Sequence, residues 1–238
     1  MKSSDSNKAI IRNAIQRRDE TDKRMSGAWL LVVIFGPLLP VVFAIMGFFV
    51  PPYGPFVMLV IGLIIGMILI GLMFYNLIER RNEHFKRSRT LREGILKLLE
   101  KHEGKSGISS RLANLRSIHS DLNSTEDSKS AGLYAILSII IPFLALYVMY
   151  FLTSDIRDHD KKERMFFRTF AEMADELGVT LVYPEWKEVP DRSAGLYVIL
   201  TLIIPLFALY WLWTLLKDPH KHFAAHRTLE DHLSSAIS

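Results

Sequence analysis

The chain has no cysteine among its 238 residues. Disulfides, a thiolate nucleophile and Cys-based zinc or iron–sulfur sites are therefore excluded. Charge is missing from long stretches too. The blocks 28–50, 55–78, 131–153 and 194–216 hold no Asp, Glu, Lys, Arg or His. Proton-coupled carriers place ionisable groups inside such blocks, so their lack argues against proton-coupled transport and against catalysis within a bilayer. There is no Ser-His-Asp, His-Glu-x-x-His or paired-carboxylate motif. The GKS of EGKSG (103–107) is not a phosphate-binding loop, because position 99 is Leu where that motif needs Gly. A cleavable leader is not expected either: the first 27 residues are polar, with seven Lys/Arg and four Asp/Glu, so the first apolar block reads as an uncleaved anchor.

What is present is mostly apolar. Half of the residues are hydrophobic, and the four uncharged blocks are each 23 or 24 residues long. As helices they reach ~35 Å, enough for a hydrocarbon core of ~30 Å. The expected fold is an all-α integral membrane protein with about four transmembrane helices, and the bilayer is the first expected partner. The expected segments are an amphipathic N-terminal arm (1–27), a transmembrane hairpin (28–78), a soluble helical hairpin (79–129), and two repeat copies of a span plus an exit helix (130–190 and 193–238).

Charge suggests the orientation. The arm carries +3, the 79–129 segment +4, the 154–193 segment −3, and the tail from 217 is neutral. Placing the arm, the 79–129 segment and the tail in the cytoplasm puts 22 of the 29 Lys/Arg inside, as the positive-inside rule asks. This predicts a multi-pass cell-membrane protein with both termini cytoplasmic. The basic segments lack interleaved aromatics, so no nucleic-acid partner is expected. In the arm, Ile10, Ile11, Ala14 and Ile15 form an apolar stripe among basic residues. Such a helix either lies on an anionic lipid surface or is simply solvated.

Within the second block, Gly62, Gly66 and Gly71 allow close helix approach, either inside one chain or between copies. The 79–129 segment predicts two amphipathic helices. Phe85, Leu91, Ile95, Leu98 and Leu99 form the apolar side of the first; Ile108, Leu112, Leu115, Ile118 and Leu122 form that of the second.

The most informative feature is a repeat. SAGLYAILSIIIPFLALY (130–147) returns as SAGLYVILTLIIPLFALY (193–210), with thirteen of eighteen residues identical. Pro142 and Pro205 predict kinked spans. Ser138 and Thr201, four residues earlier, are placed to bond the carbonyl each proline frees. The likeness continues past the blocks: Asp155, His159 and Arg164 match Asp218, His222 and Arg227. After the second block, His84, Phe85, Arg89, Thr90 and Leu91 match His222, Phe223, Arg227, Thr228 and Leu229. Gly27, Trp29 and Pro37 weakly echo the start of the repeat. If every block spans once, the copies are inverted, as in many transporters; if one block is re-entrant, the exit helices share a side.

The G-L-Y…P-x-x-x-L-Y pattern, its aromatic exit and the D-x-x-x-H stretch resemble the small, uncharacterised membrane proteins, frequent in archaea, grouped as domain of unknown function 4234. The resemblance covers about 130–170 and 193–233 and implies no activity, since the family has none established.

Asp218, His222 and His226 fall on one helix face, and Asp155 with His159 repeats the first pair. Carboxylate and imidazole at this spacing can hold a divalent ion. Solvated juxtamembrane helices give the same pattern, with Asp near the helix start. His220 and His232 read as exposed. No cofactor motif is present. The leading expectation is a non-enzymatic membrane scaffold or accessory subunit with a protein partner or a second copy of itself. A transport or channel component comes next, and a metal-dependent membrane enzyme third.

Overall fold

Prolines and glycines decide how the apolar blocks run. The computed structural model describes residues 2–49, 52, 54–105 and 107–237, and its regular structure is all helical. In the first block, α3 (Trp29–Phe35) passes through a single 3-10 turn at Gly36–Leu38 into α4 (Leu39–Met46). The chain returns as α5 (Pro55–Leu99), a 45-residue helix opening on a proline, where the missing N–H costs nothing. Between them runs VPPYGP (50–55), whose three prolines predict a tight turn; Val50, Pro51 and Tyr53 of it lie outside the described residues. The two helices touch backbone to backbone. A Cβ added at Gly62 would meet the Leu39 carbonyl oxygen at 2.6 Å, and one at Gly66 the Gly36 oxygen at 2.7 Å. At Gly71 it would meet Ile139 at 2.7 Å. The glycine stripe is therefore spent on packing within the chain.

The repeated blocks do not run on as kinked spans. The first ends α7 (Ala131–Ile140) at Ile141, whose backbone is extended (φ −124°, ψ 96°), before α8 (Pro142–Glu176) begins. The second ends α9 (Ala194–Ile203) at Ile204 (φ −126°, ψ 87°), two residues before Leu206 caps α10 (Phe207–Lys217). The cause is steric: the residue before a proline is pushed out of the helical region, and the proline ring clashes with the preceding turn. Each block folds back on itself. Tyr134 of α7 meets Tyr147 and Phe151 of α8, with ring centroids 6.1 and 5.5 Å apart. Tyr197 of α9 meets Phe207 and Trp211 of α10 at 4.9 and 5.7 Å.

A ten-residue arm rises ~15 Å, half of a ~30 Å hydrocarbon core. Among the described residues, two helices are long and apolar enough to cross a membrane: Trp29–Met46 and the one beginning at Pro55. The hydroxyl expectation is corrected as well. Ser138 and Thr201 donate to the carbonyls of Tyr134 and Tyr197, one turn before the carbonyls the prolines free, and cap nothing across the break.

Hairpins, unlike spans, bring both exit helices back to the side they came from. The second half of α8 and α11 (Pro219–Ala236) therefore stand beside the second half of α5. The inverted arrangement is overturned, and the 154–193 segment joins the arm, the 79–129 segment and the tail in one polar lobe. Around these three helices lie α1 (Lys2–Gln16), α2 (Arg18–Thr21), α6 (Ile108–Thr125) and the non-helical strap 177–193. The lobe's core draws Ile11, Ile95, Leu112, Phe166, Phe170 and Leu229 from four of the five expected segments, and nothing from 28–78. The arm's stripe is consumed there, Ile11 lying against Gly94, so it offers no apolar face to lipid.

Apolar exposure sits elsewhere. Of the exposed large hydrophobic residues, all but Met165, Val179 and Val182 fall between 31 and 75, 133 and 150, or 196 and 213. That much exposed apolar surface marks a membrane or partner face. In membranes, cysteines introduced at Ser154 and Ser235 should react with an impermeant maleimide from the same face, and one at Pro52 from the opposite face. Ser154 and Ser235 labelling from opposite faces would contradict the hairpins.

Candidate metal centre

Three helices each present a histidine to the middle of the lobe: His84 from α5, His159 from α8 and His222 from α11. Their ring centroids form a nearly equilateral triangle, 5.1, 4.9 and 5.1 Å on a side, with the rings inclined at 75–79° to one another. These are the three positions matched across the repeats, so the hairpin-plus-exit-helix unit occurs three times around one axis. Four residues further along, the same helices supply Ser88, Glu163 and His226. One turn later on the same face of a helix, these also point to the axis.

His84, His159, Glu163, His222 and His226 bring one ligand atom each to within 4.8 Å of the others. None of the five is more than 2% exposed. The His84 Nε2 lies 3.2 Å from the His159 Nε2 and 2.9 Å from the His222 Nε2. Glu163 Oε2 lies 2.8, 3.4 and 2.5 Å from the Nε2 atoms of His159, His222 and His226.

The outer nitrogens fix what the inner ones are. His84 Nδ1 donates to Asp22 at 2.8 Å, His159 Nδ1 to Glu126 at 2.7 Å, His222 Nδ1 to Asp160 at 2.7 Å, and His226 Nδ1 faces Glu230 at 3.4 Å. A neutral imidazole that donates from Nδ1 turns a lone pair outward at Nε2. Carboxylate–imidazole pairs of this kind orient metal-binding histidines. Asp22 and Glu126 each stand just ahead of a hairpin, while Asp160 is also held by the Trp186 indole N–H at 2.8 Å and the Val189 amide at 3.1 Å. Two arginines tie the carboxylates together. Arg87 donates to Asp22 at 2.7 Å and also to Glu230; Arg92 donates to Glu126 at 2.6 Å and Glu163 at 2.8 Å. Ser88 donates to Glu163. Arg18 and Arg89 reach Glu230 and Glu126 only at 3.9 Å, from the lobe's margin.

Five buried carboxylates thus face two buried arginines. Burial alone would raise Asp22, Glu126, Asp160 and Glu163, yet the histidines, arginines and N–H donors beside them hold Asp22, Asp160 and Glu163 below the usual range and Glu126 at about 2. The histidines divide. Burial and its two histidine neighbours outweigh Asp22 and push His84 down to about 3. His226 runs the other way: burial would lower it, but Glu163 and Glu230 raise it to about 10. Glu163 and Glu126 likewise raise His159 against the effect of burial. The pocket draws in positive charge.

The shorter donor separations fit a metal. Donors ~2.1 Å from an ion and about 90° apart are ~3.0 Å from each other, whereas opposite donors are ~4.2 Å apart, so a set spread over 4.8 Å takes all five onto one ion by drawing in a few tenths of an ångström. Four nitrogens and one oxygen exceed the four ligands of a structural zinc site and suit a five- or six-coordinate first-row ion that favours imidazole.

Of the sequence candidates, His159, His222 and His226 converge. Asp155 and Asp218 do not: Asp155 pairs with Arg81 at 2.6 Å and Asp218 with Arg192 at 2.5 Å, one turn short of the cluster. His84 and Glu163 were not among the expected ligands. Both had a signal, since His84 aligns with His222 and Glu163 stands at His226's offset from the repeated histidine. His220 and His232 are half-buried rather than exposed, and His232 donates to the Val182 carbonyl. No family model matches the chain, and neither a curated protein nor a solved structure shows significant similarity to it.

Glu126→Gln keeps the size and the hydrogen bond at His159 but removes a charge. It is expected to weaken metal affinity ~10–100-fold, as loss of an orienting carboxylate does elsewhere. A competition titration against a chromogenic chelator measures this, and an unchanged affinity would remove Glu126 from the site.

Proposed function

We propose that the protein is a membrane-anchored metalloprotein whose polar lobe holds one divalent first-row transition-metal ion on His84, His159, His222, His226 and Glu163. One observation carries this reading: the Nε2 atoms of His84, His159 and His222 approach to 2.9 and 3.2 Å while their Nδ1 atoms are committed to carboxylates. Lone pairs at that distance repel unless a cation lies between them. A proton on His159, which Glu163 and Glu126 favour, can be shared with His84 when no metal is bound, but it leaves the 2.9 Å pair of His84 and His222 with no cation between them.

The role is non-enzymatic in this reading. The donors are sealed by helices, and the cavity that touches the cluster, beside His84, measures about 30 Å³. That is room for one or two waters and no organic substrate. The scaffold expected from the sequence becomes the frame of a metal centre.

The membrane placement is part of the same proposal. Trp29–Met46 and the start of α5 cross the bilayer, and the two repeated hairpins dip into it to half its depth. The connector 47–54 carries no charge, so all 29 Lys/Arg lie on the lobe's side. The positive-inside rule then makes that side cytoplasmic, with both termini.

Cobalt tests the centre. The full chain, purified in mild detergent and stripped with chelator, is expected to take up one Co2+ and show the weak visible bands of five- or six-coordinate cobalt. His222→Ala is expected to weaken uptake and change that spectrum. Intense tetrahedral bands in the wild type, or affinity and spectrum unchanged by His222→Ala, would overturn the reading.

A further inference from the structure

Four aromatic side chains lie against the ligand imidazoles among the described residues: Phe85, Phe167, Phe223 and Trp186. Of these side chains, only the indole gives up an electron readily. Trp186 sits with its centroid 5.7 Å from that of His222 and 5.4 Å from that of His226. Its N–H is held by Asp160, the carboxylate that also orients His222. On its far side Tyr183 stacks on it at 6.0 Å and 12°. Tyr183 is half-buried and, with Trp186, Arg164, Met165 and Arg168, lines an open surface cleft of about 660 Å³ that has Glu185 at its edge. The strap 177–193 therefore carries an oxidisable pair of rings from the metal's ligands to solvent.

We propose that this pair is an electron route: the bound ion is iron, and it exchanges single electrons through Trp186 and Tyr183 with a small one-electron carrier in the cleft. The proposal rests on the metal reading above. In the oxidative direction a bound Fe2+ would become Fe3+ and the carrier would be reduced by one, the electron tunnelling through the indole without oxidising it. No bond forms or breaks and no proton need leave, because the Trp186 N–H stays on Asp160. The surroundings favour the ferric state, since five carboxylates face only two buried arginines. The sealed ligand sphere suits electron transfer, which needs closeness and no substrate approach.

The test uses the full chain in detergent, loaded with Fe2+ without oxygen and mixed with ferricyanide in a stopped-flow instrument. The wild type is expected to give up one electron per bound iron. Tyr183→Leu leaves Asp160 and the ligands untouched; it should keep its iron and oxidise more slowly, on the order of tenfold. Trp186→Phe should slow the reaction at least as much with iron still bound. Oxidation at the wild-type rate in both variants would overturn the route, as would wild-type iron that ferricyanide does not oxidise. A chain that takes up neither Co2+ nor Fe2+ fails at the metal reading instead, so the two failures are distinct.

Discussion

Mutual repulsion among imidazole lone pairs is the constraint on which the lobe depends. His84, His159, His222 and His226 turn one nitrogen out to a carboxylate and the other inward, to a point shared with Glu163. An unpaired buried ion costs on the order of several kcal/mol, so neither the lone pairs nor the carboxylates persist without a compensating cation. Arg87 and Arg92 neutralise part of the outer ring, and their forked guanidiniums each bridge two carboxylates. The remaining charge belongs at the centre. On this view the long α5, the two exit helices and the arm that brings in Asp22 are held together as much by the site as by the apolar core beneath them.

The architecture follows from repetition. Three times the chain makes an apolar hairpin and leaves it along a helix bearing a histidine. The first hairpin is long, its close approach permitted by Gly62 and Gly66. The others are half as deep, turned by Ile141–Pro142 and Ile204–Pro205. Three equivalent helices returning to one face make a near-threefold triangle of imidazoles. The symmetry ends there: Ser88, Glu163 and His226 occupy the next turn, and only two of them have a metal-ligand atom of the usual kind. The cluster thus offers four nitrogens and one oxygen, not a repeat of one residue pair.

Much of this was legible in the sequence. The helical class, the uncharged blocks, the repeat and three of the five residues of the buried cluster were all visible. So were the buried faces of α5 and α6, because Leu91, Ile95, Leu112 and Leu115 keep helical spacing. The hairpins were not, because the steric clash at a proline after a long apolar run yields either a kink or a full break; the fold-back that follows is set by tertiary contacts, Tyr134 meeting Phe151 and Tyr197 meeting Trp211 edge to face. Asp155 and Asp218 misled because i, i+4 spacing finds a helix face without saying where along the helix the site lies. Both stop one turn early, at arginines. The orienting carboxylates Asp22 and Glu126 come from segments distant from the histidines they hold and had no local signature, whereas Glu230 stands one turn after His226 on α11.

X-ray absorption at the metal edge of the loaded full-length chain is the most direct measurement. Four imidazoles and one carboxylate on a single ion predict five or six N/O scatterers near 2.1 Å, with outer-shell multiple scattering that fits four imidazole rings and drops to three in His84→Ala. Two imidazoles or fewer, or a spectrum indifferent to His84, would place the ion elsewhere and contradict a metal at the centre of the fold.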